Sequence, residues 1–311
     1  MAGTCAPQET RAFLAGLAKR GETAEEIAAA AAVLRAHAVR VPLSRPLELC
    51  DTCGTGGDGQ GTVNVSTLAG LVAAAAGVRV AKHGNRAASS RCGSADLLEA
   101  LGVNLEATPA QVARCLEEAG FGFCFAPRFH PAMKAVAGIR KELGSRTIFN
   151  LIGPLANPLP LTFQLVGVAE PRLLQPMAEA LIRLGVRRGM VVHGRDGLDE
   201  VTTTTMTDVI EVQQGRLIER QLDPAALGLP AARPEALRGG EAADNTRAAR
   251  QVLEGQRSPV RDLIVLNAGC AVYLAEQAGD IAQGMRRASE ALDTGRTAAL
   301  LAAVQELSHA G

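Results

Sequence analysis

Apolar and polar positions along the chain change their period near residue 41. Before that point apolar residues recur at helical spacing, and no strand candidate occurs. The stretch 23–38 opens on Thr23 with Glu26 three residues on, a capping box followed by strong helix formers. A turn-rich break, Val41-Pro42-Leu43-Ser44-Arg45-Pro46, comes next. Beyond it, short apolar runs alternate with helical stretches. The pattern predicts strands at 47–53, 78–81, 121–125, 163–168 and 190–193, and helices at 65–76, 94–101, 109–119 and 171–184. Thr108-Pro109-Ala110-Gln111 supplies a cap, a first-turn proline and a capping-box glutamine, and Gly120 and Gly185 are stop signals. Residues 209–218, around Gln213-Gln214-Gly215, read as a hairpin, and the tail from Gly240 is helical again. Such alternation implies parallel strands joined by right-handed crossovers. The expected architecture is α/β: a small N-terminal helical domain, 1–44, and a larger domain, 46–311, with a mostly parallel central sheet flanked by helices.

Composition narrows the function. The 311 residues are 47% apolar and 21% charged, with 32 basic and 32 acidic side chains cancelling to zero. A protein that grips a nucleic-acid backbone carries a basic surplus, and one that stacks bases needs aromatics. This chain has no Trp and one Tyr, so no nucleic-acid partner is expected. The longest uncharged apolar run, 68–78, falls short of the ~20 residues a spanning helix needs, so no membrane partner is expected either. The first residues lack the basic and apolar regions of a signal peptide. Seven scattered cysteines suit a reducing compartment, so a cytoplasmic location is the expectation.

Three segments carry chemistry, each after a predicted strand. Residues 54–61 pack five glycines into eight positions between a strand and a helix. Glycine allows positive φ and close approach of N–H groups, and the following helix points its positive end at the same place. An anion is the natural guest, with Asn64, Ser66 and Thr67 as further donors. No Gly-Lys-Ser/Thr ending makes this a Walker loop, and no acidic residue closes a second strand as in a dinucleotide site. The second segment, Lys82-His83-Gly84-Asn85-Arg86-Ala87-Ala88-Ser89-Ser90, sets cations and small donors after the next strand, where open parallel sheets bind ligands. In the third, Asp199 and Glu200 are adjacent hard oxygen ligands suited to Mg²⁺ shared with substrate phosphates.

GTGGDGQGTVNVST, KHGNRAASSRCGSADLLEALG, RFHPAMKAVAGIRKELGSRTIFNLIGPLANP and VVHGRDGLDE together resemble the anthranilate phosphoribosyltransferases of tryptophan biosynthesis. The resemblance runs from about Ala12 to the C-terminus. It implies Mg²⁺-dependent transfer of phosphoribose from phosphoribosyl pyrophosphate (PRPP) to the amine of anthranilate, with pyrophosphate released. It also implies that helices from about 131–160 complete the N-terminal domain. Carried over by position, Gly54, Gly57, Asp58, Thr62, Asn64, Val65, Ser66 and Thr67 hold the donor and its metal. Lys82, His83, Gly84, Asn85, Arg86, Ala87, Ala88, Ser89, Ser90 and Ser94 complete the donor site. Gly54, Asn85 and Arg140 meet anthranilate, Arg140 at its carboxylate, while Ser66, Asp199 and Glu200 are the Mg²⁺ ligands. His83 and His130 match positions near the acceptor, as candidate catalytic groups or as structural hydrogen-bonders; no general base is assigned.

Two alternatives stand beside this reading. A nucleoside phosphorylase shares the fold but attacks with phosphate, and differs at the KHGNR segment. A non-catalytic nucleic-acid-binding homologue would show a basic groove and would lack the paired carboxylates. The resemblance starts roughly one helical pair late, where the family forms its homodimer contact, so a homodimer is an open expectation; the Ala- and Ile-rich face of 23–38 is the surface offered for it. Cys50 and Cys53 have redox spacing but fall inside a predicted strand, where small apolar residues are expected.

Overall fold

The structure, a computed structural model, describes residues 5–87, 91–144 and 146–310. Ala88, Ser89 and Ser90, assigned above to the donor site, lie outside the described residues. Seven strands form one sheet: β1 (Cys50–Gly54), β2 (Val80–Gly84), β3 (Phe121–Phe125), β4 (Phe163–Gly167), β5 (Arg188–Gly194), β6 (Thr207–Gln213) and β7 (Arg216–Leu222). Their order is β3-β2-β1-β4-β5-β6-β7, parallel through β5 and antiparallel for the last two. The chain builds outward from β1 in one direction, then crosses to β4 and builds in the other. The strand order therefore reverses at β1, and ligands bind outside the carboxyl ends of strands at such a reversal.

The helical predictions hold at their signals. The N-terminal region is α1 (Pro7–Arg20) and α2 (Ala24–Ala36), with the Thr23–Glu26 capping box formed. α3 (Val65–Ala75) follows the glycine run, and α4 (Ser94–Ala100) precedes the helix capped by Thr108. The hairpin turns at Gln214 and Gly215, both at positive φ. Strand boundaries differ from expectation most in β1 and β2. β1 starts at Cys50 rather than at 47, and β2 runs over Val80–Gly84 rather than 78–81. Pairing decides the second: Val80 through Gly84 match Phe121 through Phe125 residue for residue on β3. Lys82, His83 and Gly84 thus belong to a strand, not to the loop after it.

One large core lies between α3, the helix Pro259–Leu274 and one face of the sheet. A second joins α1 and α2 to residues 148–156, to the helix Leu174–Arg183 and to the other face of β4 and β5. Ile27, Ala28 and Ala31 of α2 are buried in it. The Ala- and Ile-rich face offered above for a second copy is therefore turned inward, because its apolar stripe finds cover within the chain. Among the described residues no helix is long and apolar enough to cross a membrane.

Candidate functional site

The carboxyl ends of β1 and β4 carry the floor of the site. Gly54 and Gly167 are register partners there, and Asp199 from the loop after β5 lies across both. A Cβ at Gly54 would run into the Asp199 carboxylate, and one at Gly167 into the Asp199 carbonyl. The glycine run then turns over this floor, with Gly57 at φ +77° and Gly59 at φ +70°. Gly56 N–H donates to Asp199 Oδ2 at 2.6 Å.

α3 begins beside this loop. Its cap residue Asn64 makes no side-chain cap bond; its Nδ2 donates to the Cys92 carbonyl at 2.9 Å, and its buried Oδ1 has no partner among the described residues. Glu200 caps the helix from across the site, accepting from Ser66 N–H at 3.1 Å. A negative charge at a helix N-terminus is favourable. Val65 and Thr67 are buried, Val65 packing with Val63, Leu237 and Leu263, so their side chains face the interior. Thr62 sits half-buried and bridges to Arg238.

The two carboxylates share one electrostatic predicament. Burial, and then the charge of Asp58, push Asp199 up to about 7, against the pull of Gly56 N–H. Burial and the neighbouring Asp199 hold Glu200 well above the usual carboxylate range, with Lys82 pulling the other way. Two acids this close resist ionising together unless a cation joins them. Each has one oxygen bound to a backbone N–H. Among the described residues no three His, Cys, Asp or Glu converge as a metal cluster. An all-oxygen pair, one of its acids bound to Ser66 N–H, fits Mg²⁺, which keeps waters and phosphate oxygens in most of its shell.

β2 brings Lys82 and His83 to the same ledge. Lys82 is buried and its Nζ donates to the His83 carbonyl at 2.9 Å. Next to it, β1 and β2 pair only at Cys50 and Val80. Beyond that pair, side chains take over the ladder: Asp51 Oδ1 accepts from His83 N–H at 3.3 Å. Asn157 Nδ2 donates to Asp51 Oδ2 at 2.9 Å and to the Ala81 carbonyl at 2.7 Å. His83 Nδ1 lies 3.1 Å from the Gly153 carbonyl, and its ring meets His130 edge-on with centroids 5.1 Å apart. Burial pushes His83 down to about 3, helped by His130 and Lys82, and pushes His130 down to about 4. Both are neutral at pH 7.

Asn85 and Arg86 leave the strand toward α4. Ser94 Oγ accepts from Asn85 N–H at 3.2 Å, and Ala87 N–H donates to Asp96 at 2.9 Å. Gly84 abuts Ser94 closely enough that a Cβ would strike its hydroxyl. Arg86 pairs with Asp96 and Glu99 at 3.0 and 2.7 Å, so its charge is met within the chain. Arg140, on the helix Lys134–Leu143, is half-buried and stacks over the Phe149 ring at 5.3 Å, with burial lowering its pKa. Among the described residues no ion pair engages its guanidinium, so it can serve a carboxylate from outside. Cys50 and Cys53 are free thiols on β1, both pushed up by burial, Cys53 to about 12, which suits packing rather than redox exchange.

Sequence reasoning missed three supports. Asp51 and Asn157 tie the 153–157 segment to the ledge, and Arg35 ties it to α2, Arg35 Nε donating to the Leu155 carbonyl at 2.6 Å. For Asp51 there was a signal: a carboxylate inside an apolar strand demands partners. For the other two there was none.

Comparison with known proteins shows what the chain is similar to. The profile described as "Glycosyl transferase family, a/b domain" matches residues 47–298. The anthranilate phosphoribosyltransferase of Rubrobacter xylanophilus is 52% identical over 302 residues, 97% of this chain and 88% of that protein. The crystal structure of the enzyme of that name from Thermus thermophilus is 48% identical with a TM-score of 0.94, covering 99% of this chain and 92% of that one. The similarity thus takes in the N-terminal helices as well as the part from Ala12 onward. The Saccharomyces cerevisiae enzyme in complex with PRPP and Mg is 30% identical with a TM-score of 0.89, covering 97% and 85%.

Proposed function

The chain belongs to the anthranilate phosphoribosyltransferase family, and from that premise we propose how its residues carry the family's reaction. The enzyme transfers the phosphoribosyl group of PRPP to the amine of anthranilate and releases pyrophosphate, in tryptophan biosynthesis. The observation that carries the assignment is the meeting, at the β1/β4 reversal, of a glycine loop, a helix N-terminus and two carboxylates held above their ordinary pKa.

The donor's pyrophosphate lies on Gly54, Gly57, Asp58, Thr62 and the first turn of α3, with Asn64 and Ser66 as its side-chain donors there. Val65 and Thr67 shape that turn from beneath. Asn85 and Ser94 border the donor on the β2 side; Arg86 acts there through α4, holding the 84–87 loop. Asp199, Glu200 and Ser66 hold Mg²⁺, which when bound neutralises charge on the departing pyrophosphate. Lys82 adds a fixed positive charge on the same side, where charge grows as the C1–oxygen bond breaks. Arg140 receives the anthranilate carboxylate, and Asn85 and Gly54 border the amine. That amine is already neutral at pH 7 and needs placement rather than a strong base. His83 and His130, neutral and buried, shape the acceptor side.

Residues 1–44 with 131–160 form, in this reading, the unit that closes over the acceptor. The location is cytoplasmic. A second copy covers the most exposed large apolar residues, Phe13 and Val33 on α1 and α2, giving twice the 32.2 kDa chain mass in sedimentation. The test of function is anthranilate fluorescence. It should fall with time only when enzyme, PRPP and Mg²⁺ are all present, and a constant signal in the complete mixture sinks the reading.

A further inference from the structure

We propose that Asn267, on the helix Pro259–Leu274, is a positioning residue for the Asp199–Glu200 carboxylates: it fixes from behind the loop that presents them to Mg²⁺. The inference rests on the metal reading above. Asn267 is fully buried among apolar helix neighbours, Leu263, Leu266 and Cys270. A buried amide at such a position is costly unless it is hydrogen-bonded. Both ends of the amide bond to one residue. Asn267 Oδ1 accepts from Val201 N–H at 3.0 Å, and Nδ2 donates to the Val201 carbonyl at 2.7 Å and to the Leu263 carbonyl at 2.9 Å.

Val201 is the residue immediately after Glu200, and its own side chain is buried in the main core. On the forward side Gly56 N–H and Ser66 N–H hold one oxygen of each acid, and Gln60 Nε2 donates to the Asp196 carbonyl of the same loop at 3.0 Å. Asp199 and Glu200 repel when ionised, which pushes the two carboxylates apart. The Asn267 clamp opposes this with the geometry of a β-pair supplied by one side chain. The helix that carries it also packs along α3, whose first turn holds Ser66. One rigid element thus sets Glu200 and Ser66 relative to each other.

The test is Mn²⁺ binding, read by the electron paramagnetic resonance of free Mn²⁺ in the presence of PRPP and without anthranilate, so no turnover is involved. Asn267→Leu keeps the volume and removes both Val201 bonds; Asn267→Asp keeps the acceptor and cannot donate to the Val201 carbonyl. Losing such an orienting partner should weaken Mn²⁺ about tenfold in either variant. At saturating Mg²⁺, kcat should return to within about threefold of wild type. Asp199→Asn is measured beside them. If it weakens Mn²⁺ while a folded Asn267 variant does not, the positioning role is wrong and the metal reading stands. If Asp199→Asn also binds Mn²⁺ normally, the metal reading itself fails. A kcat loss that Mg²⁺ does not restore, or failure of both Asn267 variants to fold, makes Asn267 a residue of the fold alone.

Discussion

Gly54 on β1 and Gly167 on β4 face each other in register, and Asp199 fills the space that a side chain on either would need. The two positions are not equivalent. At Gly54 the obstacle is a carboxylate that can swing; at Gly167 it is the Asp199 backbone. Gly167→Ala should therefore cost about 1–3 kcal/mol of stability, as overpacking does, and should displace the metal loop. Gly54→Ala should leave the thermal midpoint nearer wild type and raise the Mg²⁺ requirement. Thermal melts and Mg²⁺ titrations of the two variants check the order.

Gly57 stands at φ +77°, and no atom of the described residues lies within 4 Å of where a Cβ would sit. Gly57→Val therefore acts through backbone strain, about 1–2 kcal/mol or more for a β-branched residue, rather than through crowding inside the protein. The loop should relax away from its turn and PRPP affinity should fall. Near-normal PRPP affinity in this variant would remove the loop from the donor site.

Arg140 offers a guanidinium without an ion-pair partner among the described residues, stacked on Phe149. Two parallel hydrogen bonds to an aromatic carboxylate are within its reach and beyond a lysine's. Arg140→Ala should weaken anthranilate use by ~2–5 kcal/mol, about 30-fold to several thousand-fold, with PRPP binding little changed. Arg140→Lys should recover part. Aniline, lacking the carboxylate, is the control; an undiminished preference for anthranilate in Arg140→Ala rules this role out.

The paired histidines give a pH prediction. His83 and His130 are held to about 3 and about 4, below the ordinary 6.5. In the unfolded chain they take up protons below 6.5, in the folded chain only near 4 and 3. The stability they contribute is thus complete above 6.5 and is lost as pH falls toward 4 and then 3, a few kcal/mol in order of magnitude. Neither ring should titrate between pH 5 and 8. Imidazole resonances followed by NMR across that range should stay fixed, and an inflection near 6.5 from either ring would count against their burial.

Much of this protein was determined by local sequence. Capping signals at Thr23, Thr108 and Gly120, the apolar strand runs and the Gln214-Gly215 turn act over a few residues, and the structure forms helices, strands and a hairpin at each. The glycine loop and the acidic pair were likewise visible, since their chemistry lies in adjacent residues. What the sequence left open depended on partners far along the chain. Pairing with β3 decided that Lys82 and His83 belong to β2, and cover from residues 148–156 decided that Ile27 faces inward. Only the tertiary fold could set Asp199 on Gly54 and Gly167, Asn157 between β1 and β2, and Asn267 behind Val201. Each of those contacts spans dozens of residues or more. Its energy comes from satisfying buried polar groups against whichever backbone the fold brings near, and no local pattern encodes that.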